Sequence, residues 1–141
     1  MTTTEKNMAL LRGAYQLVEK GDLDAAEKLL AEDFVANLPG LSDPLVGREI
    51  WRFGTQAMLD AFPDLEIDVR DMFGADDRVA VLVHFRGTHR GAFQEIAATG
   101  RRVGIRSVEL YRFADGRIAE EWVAPDIMDL MRQIGPAPTG A

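Results

Sequence analysis

The side chains able to do chemistry in this chain are few, and their spacing narrows the choice further. There is no cysteine, which removes disulfides, thiolate nucleophiles and thiolate metal sites together. The two serines, Ser42 and Ser107, stand outside any G-x-S-x-G elbow, so a serine hydrolase is not expected. Lysine occurs only at Lys6, Lys20 and Lys28, in the amino-terminal helical stretch, which leaves few candidates for a buried Schiff-base lysine. No glycine-rich fingerprint joins a strand to a helix, so no dinucleotide or phosphate loop is expected. His84 and His89 have opposite strand parity, and no metal site is expected from them. Asp, Glu, His, Tyr and Arg remain, the usual kit of general acid–base work.

Periodicity supplies the elements that must position these groups. Met8, Leu11, Tyr15 and Val18 follow helical spacing up to Gly21. Asp22 can cap a second helix carrying Leu23, Ala26, Leu29 and Leu30. A third helix runs from about Gly47 to Ala61, with Ile50, Phe53, Ala57 and Met58 on one side, and Pro63 ends it. The period then changes. Glu66 to Arg70 alternates polar and apolar, as a half-buried strand does. A turn at Gly74-Ala-Asp-Asp leads into a strand from Arg78 to Arg86, broken at Gly87. Strands Arg102 to Phe113 and Arg117 to Ala124 flank the Asp115-Gly116 hairpin turn. Pro125-Asp126 opens a last helix with Ile127, Leu130, Met131 and Ile134 inward, closed by Gly135-Pro136.

Helices followed by an antiparallel meander predict an α+β fold: helices packed on the concave face of a curved sheet, enclosing a pocket. The expected organisation is one domain over residues 1–135, with a Gly/Pro/Ala-rich tail, 136–141, that is flexible. Net charge is −7, which argues against nucleic acid or an anionic membrane as partner. No apolar run approaches the ~18 residues of a membrane span, and the first residues do not read as a secretory signal. A cytoplasmic location is the expectation.

Three stretches carry a family resemblance: Gly87-Thr-His-Arg-Gly-Ala-Phe, Ala98-Thr-Gly-Arg-Arg-Val, and Tyr111-Arg-Phe-Ala-Asp-Gly-Arg-Ile-Ala-Glu-Glu-Trp. With Ala61-Phe-Pro-Asp-Leu upstream, they resemble the SnoaL-like polyketide cyclases, within the nuclear-transport-factor-2-like, or cystatin-like, α+β cone superfamily. The resemblance spans nearly the whole chain. It implies a homodimer and a cofactor-free reaction on a hydrophobic polyketide-like molecule: cyclisation, isomerisation or addition–elimination. The same cone also hosts epoxide hydrolases and binding modules without chemistry, so fold alone does not name the reaction. In the family's aldol cyclases an aspartate works with a histidine on the preceding strand. By motif the histidine position falls on Glu109 and the aspartate position on Val123, so neither side chain is kept. The nearest carboxylates are Glu120, Glu121 and Asp126. The base of the related steroid isomerases is also absent, since Asn37-Leu38-Pro39 stands where its aspartate would be.

Each candidate has a structural reading beside the catalytic one. Glu109 alternates with Ser107, Tyr111 and Phe113, against Val108 and Leu110 on the other face; it is either a cavity base or a solvated edge carboxylate. His89 either orients Glu109 or bonds backbone in a bulged strand, whereas His84 reads as a packed sheet residue. Asp126 either reaches the pocket mouth or caps the last helix. The expected catalytic set is Glu109, His89 and Asp126. Trp122, Trp51, Phe53, Met58, Phe62 and Phe93 are candidate walls, each otherwise ordinary core. Tyr15 and Asn37 could hydrogen-bond a ligand. Arg86, Arg90, Arg101, Arg102 and Arg106 either steer an anion or lie solvated on the outer sheet face. Two readings stand beside the enzyme: a non-catalytic small-molecule binder, favoured by Val123, and water addition to an epoxide by Asp126 with Arg106.

Overall fold

The structure, a computed structural model, describes residues 1–135. The expected flexible tail lies outside the described residues. Helix α1 (Thr3–Glu19) begins with a reciprocal cap: the Glu5 amide donates to Thr2 Oγ1 (3.1 Å) and the Thr2 amide to Glu5 Oε1 (3.3 Å). It stops at Gly21, whose φ of +78° a side chain would disfavour. Asp22 caps α2 (Leu23–Glu27) through the Ala25 amide. That helix does not reach Leu29 and Leu30, as spacing had suggested. The chain enters strand β1 (Leu30–Asn37), where Arg48, at the start of α3 (Arg48–Ala61), donates twice to the Leu30 carbonyl.

Strands β2 (Leu45–Val46), β3 (Glu66–Ala75), β4 (Arg78–Thr88), β5 (Arg102–Ala114) and β6 (Arg117–Pro125) complete one sheet in the order β2-β1-β6-β5-β4-β3. All neighbours are antiparallel except β1 and β6, which run parallel. Helix α4 (Ile127–Ile134) follows β6 directly. Asp115 and Gly116 both have positive φ (52° and 74°), the signature of a two-residue hairpin turn with the right twist. Gly87 is not a break. It pairs with Val103 inside the β4–β5 ladder, and a Cβ there would lie 2.9 Å from Phe62 Cβ, so the glycine allows close approach. Bulges between Val69 and Asp71 and between Arg112 and Phe113 bend an unclosed, curved sheet.

Two apolar clusters fill the concave side. One joins α1 to the middle of the sheet through Leu11, Phe34, Val79, Val81 and Phe113. The other joins the end of α3 to α4 through Phe62, Leu65, Val103, Ile105 and Leu130. Ile67 and Phe85 pack against both, and between the clusters lies a cavity.

Candidate active site

The alternation of β5 now has a direction. Val103, Ile105, Ser107, Glu109, Tyr111 and Phe113 face inward and are buried, while Val108 faces out. On β6, Glu121, Val123 and Pro125 face the same cavity, which has a volume of about 250 Å³. That lies near the small end for a ligand site, typically roughly 300–1,000 Å³. The walls come from α1 and α3, including Tyr15, Ile50, Trp51 and Met58. The lining is mainly apolar, with its polarity gathered on α1, β5 and β6.

That polarity is organised around Glu109. Tyr15 and Tyr111 each donate a hydroxyl to Oε1, at 2.7 and 2.6 Å, and Ser107 donates to Oε2 at 2.8 Å. The two phenol oxygens are 3.2 Å apart, but each has a single proton and each has a closer acceptor in Glu109. Burial, and then the Glu109 charge, push both phenols well above their ordinary pKa, so they stay O–H donors.

Glu121 is the contrasting group. It stands opposite Tyr111 across the β5–β6 ladder, while Val123 stands opposite Glu109. Glu121 and Glu109 are therefore diagonal neighbours, about 7–8 Å apart at the backbone. Only 6% of Glu121 is exposed, and among the described residues its carboxyl has no hydrogen-bond partner. Burial first, and the Glu109 charge second, raise its pKa to about 8. A carboxyl protonated at neutral pH and open to the cavity can give a proton and take one back.

The other candidates separate. Tyr15, Trp51, Met58 and Glu109 line the cavity. His89 does not. It is fully buried in the segment after β4, its Nδ1 accepts the Thr99 amide at 3.2 Å, and its ring packs 5.7 Å from that of Phe62. Phe93 packs beside Phe62 in the same outlying wedge. Asp126 caps α4 through the Asp129 amide (3.1 Å) and lies outside the lining, and the Arg106 side chain is on the exposed face of β5. The pair imagined for epoxide opening is thus not gathered in the cavity. Trp122 points to the convex face, with the Arg78 guanidinium 5.5 Å from its ring centre, because its parity is opposite to that of Glu121. Asn37 also lies off the lining and donates to Glu120 Oε2 and to the Glu121 carbonyl. Phe53 is 80% exposed, since α3 buries the stripe through Trp51, Thr55 and Met58 instead.

Of the arginines, Arg102 pairs with Asp64 and Glu66, and Arg101 holds the carbonyls of Gln133 and Gly135. Among the described residues no three His, Asp or Glu side chains converge to hold a metal ion, and no helix is long and apolar enough to cross a membrane. Glu121 is the group that sequence reading passed over as a catalyst. Its signal was parity: it lies two residues before Val123, on the same face.

A curved sheet roofed by α1 and α3 over an acid-floored apolar cavity defines the class, an α+β cone with an internal small-molecule site. The model of the SnoaL-like polyketide cyclase family matches residues 9–134, and this chain belongs to that family. No curated protein sequence matches it. Among solved structures it is similar to AclR, a proposed hydroxylase from Streptomyces galilaeus. The two share 27% identity over 99% of this chain and 87% of the other, with a TM-score of 0.87. It is also similar to IdmH, a proposed polyketide cyclase from Streptomyces antibioticus, at 31% identity over 92% and 98% of the two chains and a TM-score of 0.82. A proposed SnoaL-like polyketide cyclase from Jannaschia sp. CCS1 shares the fold, at a TM-score of 0.88 and 20% identity over 98% of each chain.

Proposed function

We propose that this protein is a cofactor-independent enzyme that moves a proton on a hydrophobic, polyketide-like molecule, with Glu121 as the acid and base. The reaction class is cyclisation, isomerisation or addition–elimination. The observation that carries the reading is the Glu121 carboxyl: buried, turned into the cavity and without a protein partner. One such group suffices for the first two reactions, because each returns the proton it removes. Ionised, Glu121 takes a proton from the carbon beside a ketone; protonated, it delivers that proton to the alkoxide left by ring closure, which becomes the new hydroxyl, or to another carbon. A pKa of about 8 lets both forms be reached near neutrality. Glu109 holds Tyr15 and Tyr111 in place as a rigid polar floor.

The direct test incubates the protein in D₂O with a panel of polycyclic ketones and follows deuterium entry beside the carbonyl by NMR. Glu121→Gln is expected to slow exchange by roughly 10²–10⁴ while the protein stays folded. A second reading, a binding protein without chemistry, is favoured by Val123 at the family's aspartate position. Ligand-induced thermal stabilisation with no exchange and no product would establish it.

The family resemblance implies a homodimer, and the convex sheet face supports one. Phe73, Ala80, Leu110 and Trp122 form one cross-strand row there, and Leu82, Val108 and Ala124 another. Phe73 and Val108 are 64% and 60% exposed, an apolar surface suited to a second copy. Val108→Asp is expected to yield monomer in sedimentation velocity, and a wild-type protein already monomeric would refute the dimer.

A further inference from the structure

We propose that the cavity selects its ligand by charge: it takes a polycyclic molecule whose polar end donates hydrogen bonds, a protonated amine more tightly than a hydroxyl, and excludes one ending in a carboxylate. This rests on reading the cavity as the substrate site, but not on any proton transfer.

The argument is a census of donors and charges. Glu109 and Glu121 are 5% and 6% exposed and face one space from adjacent strands. Among the described residues, no Lys, Arg or His lines that space. The phenols of Tyr15 and Tyr111 and the hydroxyl of Ser107 spend their protons on Glu109. The cluster therefore consumes its own donors. The donors left in the lining are the Thr55 hydroxyl and the Trp51 ring N–H, both on α3 and both neutral. What the wall offers a charged ligand is the Glu121 carboxyl, which both donates and accepts while protonated and becomes an anionic acceptor when a cation arrives.

A ligand carboxylate would enter as a third acidic group with no cation to meet it, and would lose its hydration without compensation. An ammonium meets the opposite situation. It binds the ionised form of Glu121 and offsets the repulsion between the two carboxyls, in an apolar shell where such attractions are strong. The rings of Trp51 and Phe85 in the same lining add aromatic surface that a cation favours. Binding of the ammonium thus expels the Glu121 proton. The titratable groups facing Glu121 are Glu109 and Tyr111 from β5 and Tyr15 from α1; α3 adds none to the lining, and Ala36 lies beside Glu121 on β1.

Three ligands of one shape test this: 1-naphthylmethylammonium, 1-naphthalenemethanol and 1-naphthoate, titrated calorimetrically into the full chain at pH 7. The ammonium is expected to bind about tenfold or more tighter than the alcohol, with proton release, and the carboxylate at least about tenfold weaker. Glu121→Gln is expected to abolish the ammonium's advantage yet still bind the alcohol, which shows that the cavity is intact. A carboxylate as tight as the alcohol, an ammonium no tighter, or an unchanged ranking in Glu121→Gln would overturn the proposal. Absence of binding by all three would overturn it together with the cavity reading. Failure of the proton-transfer reading is separate: deuterium exchange would be indifferent to Glu121→Gln while the ranking held.

Discussion

Among the described residues, Glu121 and His89 each leave a buried polar group without a protein partner, and they differ in what lies in front of it. On the cavity wall, the Glu121 carboxyl faces open space beside Glu109. Past the end of β4, the His89 ring is sealed. The Thr99 amide can only donate, so Nδ1 accepts and the ring proton sits on Nε2, which is buried with no partner. An unmet group beside a void is available to a ligand; one pressed against Phe62 is only a cost to the fold. The comparison separates the proposed acid from a histidine that the family motif alone would favour.

The largest effect expected is at Glu121, in stability as well as turnover. Its folded pKa of about 8 lies above the ordinary value of 4.5, so the folded protein binds the extra proton. Stability therefore falls as pH rises from about 4.5 to about 8, as the unfolded chain ionises first. Glu121→Gln removes that penalty and should stabilise the protein by about 3 kcal/mol at pH 7. Urea melts of both proteins across this range measure it. A variant that gains stability while losing exchange is the signature of a site held at the expense of the fold. Parallel pH profiles would remove Glu121 from that role.

Glu109→Gln sharpens the same contrast from the other carboxyl. The amide oxygen can keep both phenol hydrogen bonds while the NH₂ turns to Ser107, whose hydroxyl can reverse and accept. Stability should change by less than about 1 kcal/mol, but the charge next to Glu121 is gone. Since that charge is the second cause of the raised pKa, the Glu121 titration should move below about 8. Carbon-13 NMR of labelled glutamate reads the shift directly. A titration that stays in place would mean burial alone sets it.

The sequence made parts of this site legible because they depend only on local period. Ser107, Glu109, Tyr111 and Phe113 share a face by alternation, and Asp22, Asp126 and Asp115-Gly116 carry their cap and turn signals in their own side chains. What failed depended on register with another strand or on the packing of a whole helix. Strand β1 was hidden because Glu32 and Asp33 sit exposed in a stretch whose register to β6 shifts between Leu30 and Val35, which destroys the period. Helix α3 has an apolar stripe through Phe53 and another through Trp51 and Met58, and only the sheet beneath decides between them. Trp122 and Glu121 are adjacent, so one residue of parity exchanges an inward acid for an outward aromatic.

A smaller effect is expected at Asp126. Its carboxylate accepts the Asp129 amide and caps α4, whose Leu130 and Ile134 close the second apolar cluster. Asp126→Ala should cost about 1 kcal/mol and leave exchange within about twofold of wild type. Thermal melts and the deuterium assay check the two parts; a loss comparable to that of Glu121→Gln would return Asp126 to the chemistry.

The smallest effect is expected at His89, and it bears most directly on the comparison. His89→Leu deletes the unmet Nε2–H and also the acceptor of the Thr99 amide. The two changes oppose each other. Removing a buried donor that had no partner is favourable, while the Thr99 amide lies in an exposed stretch where water can replace the ring. Leucine approximates the imidazole in bulk and meets the Phe62 ring without a polar atom. We expect stability within about 1 kcal/mol of wild type in urea melts. Exchange should be unchanged, because the ring lies outside the lining that holds Glu121. A drop in exchange with the fold intact would show that the sealed histidine communicates with the cavity, and the distinction between the two unmet groups would fail.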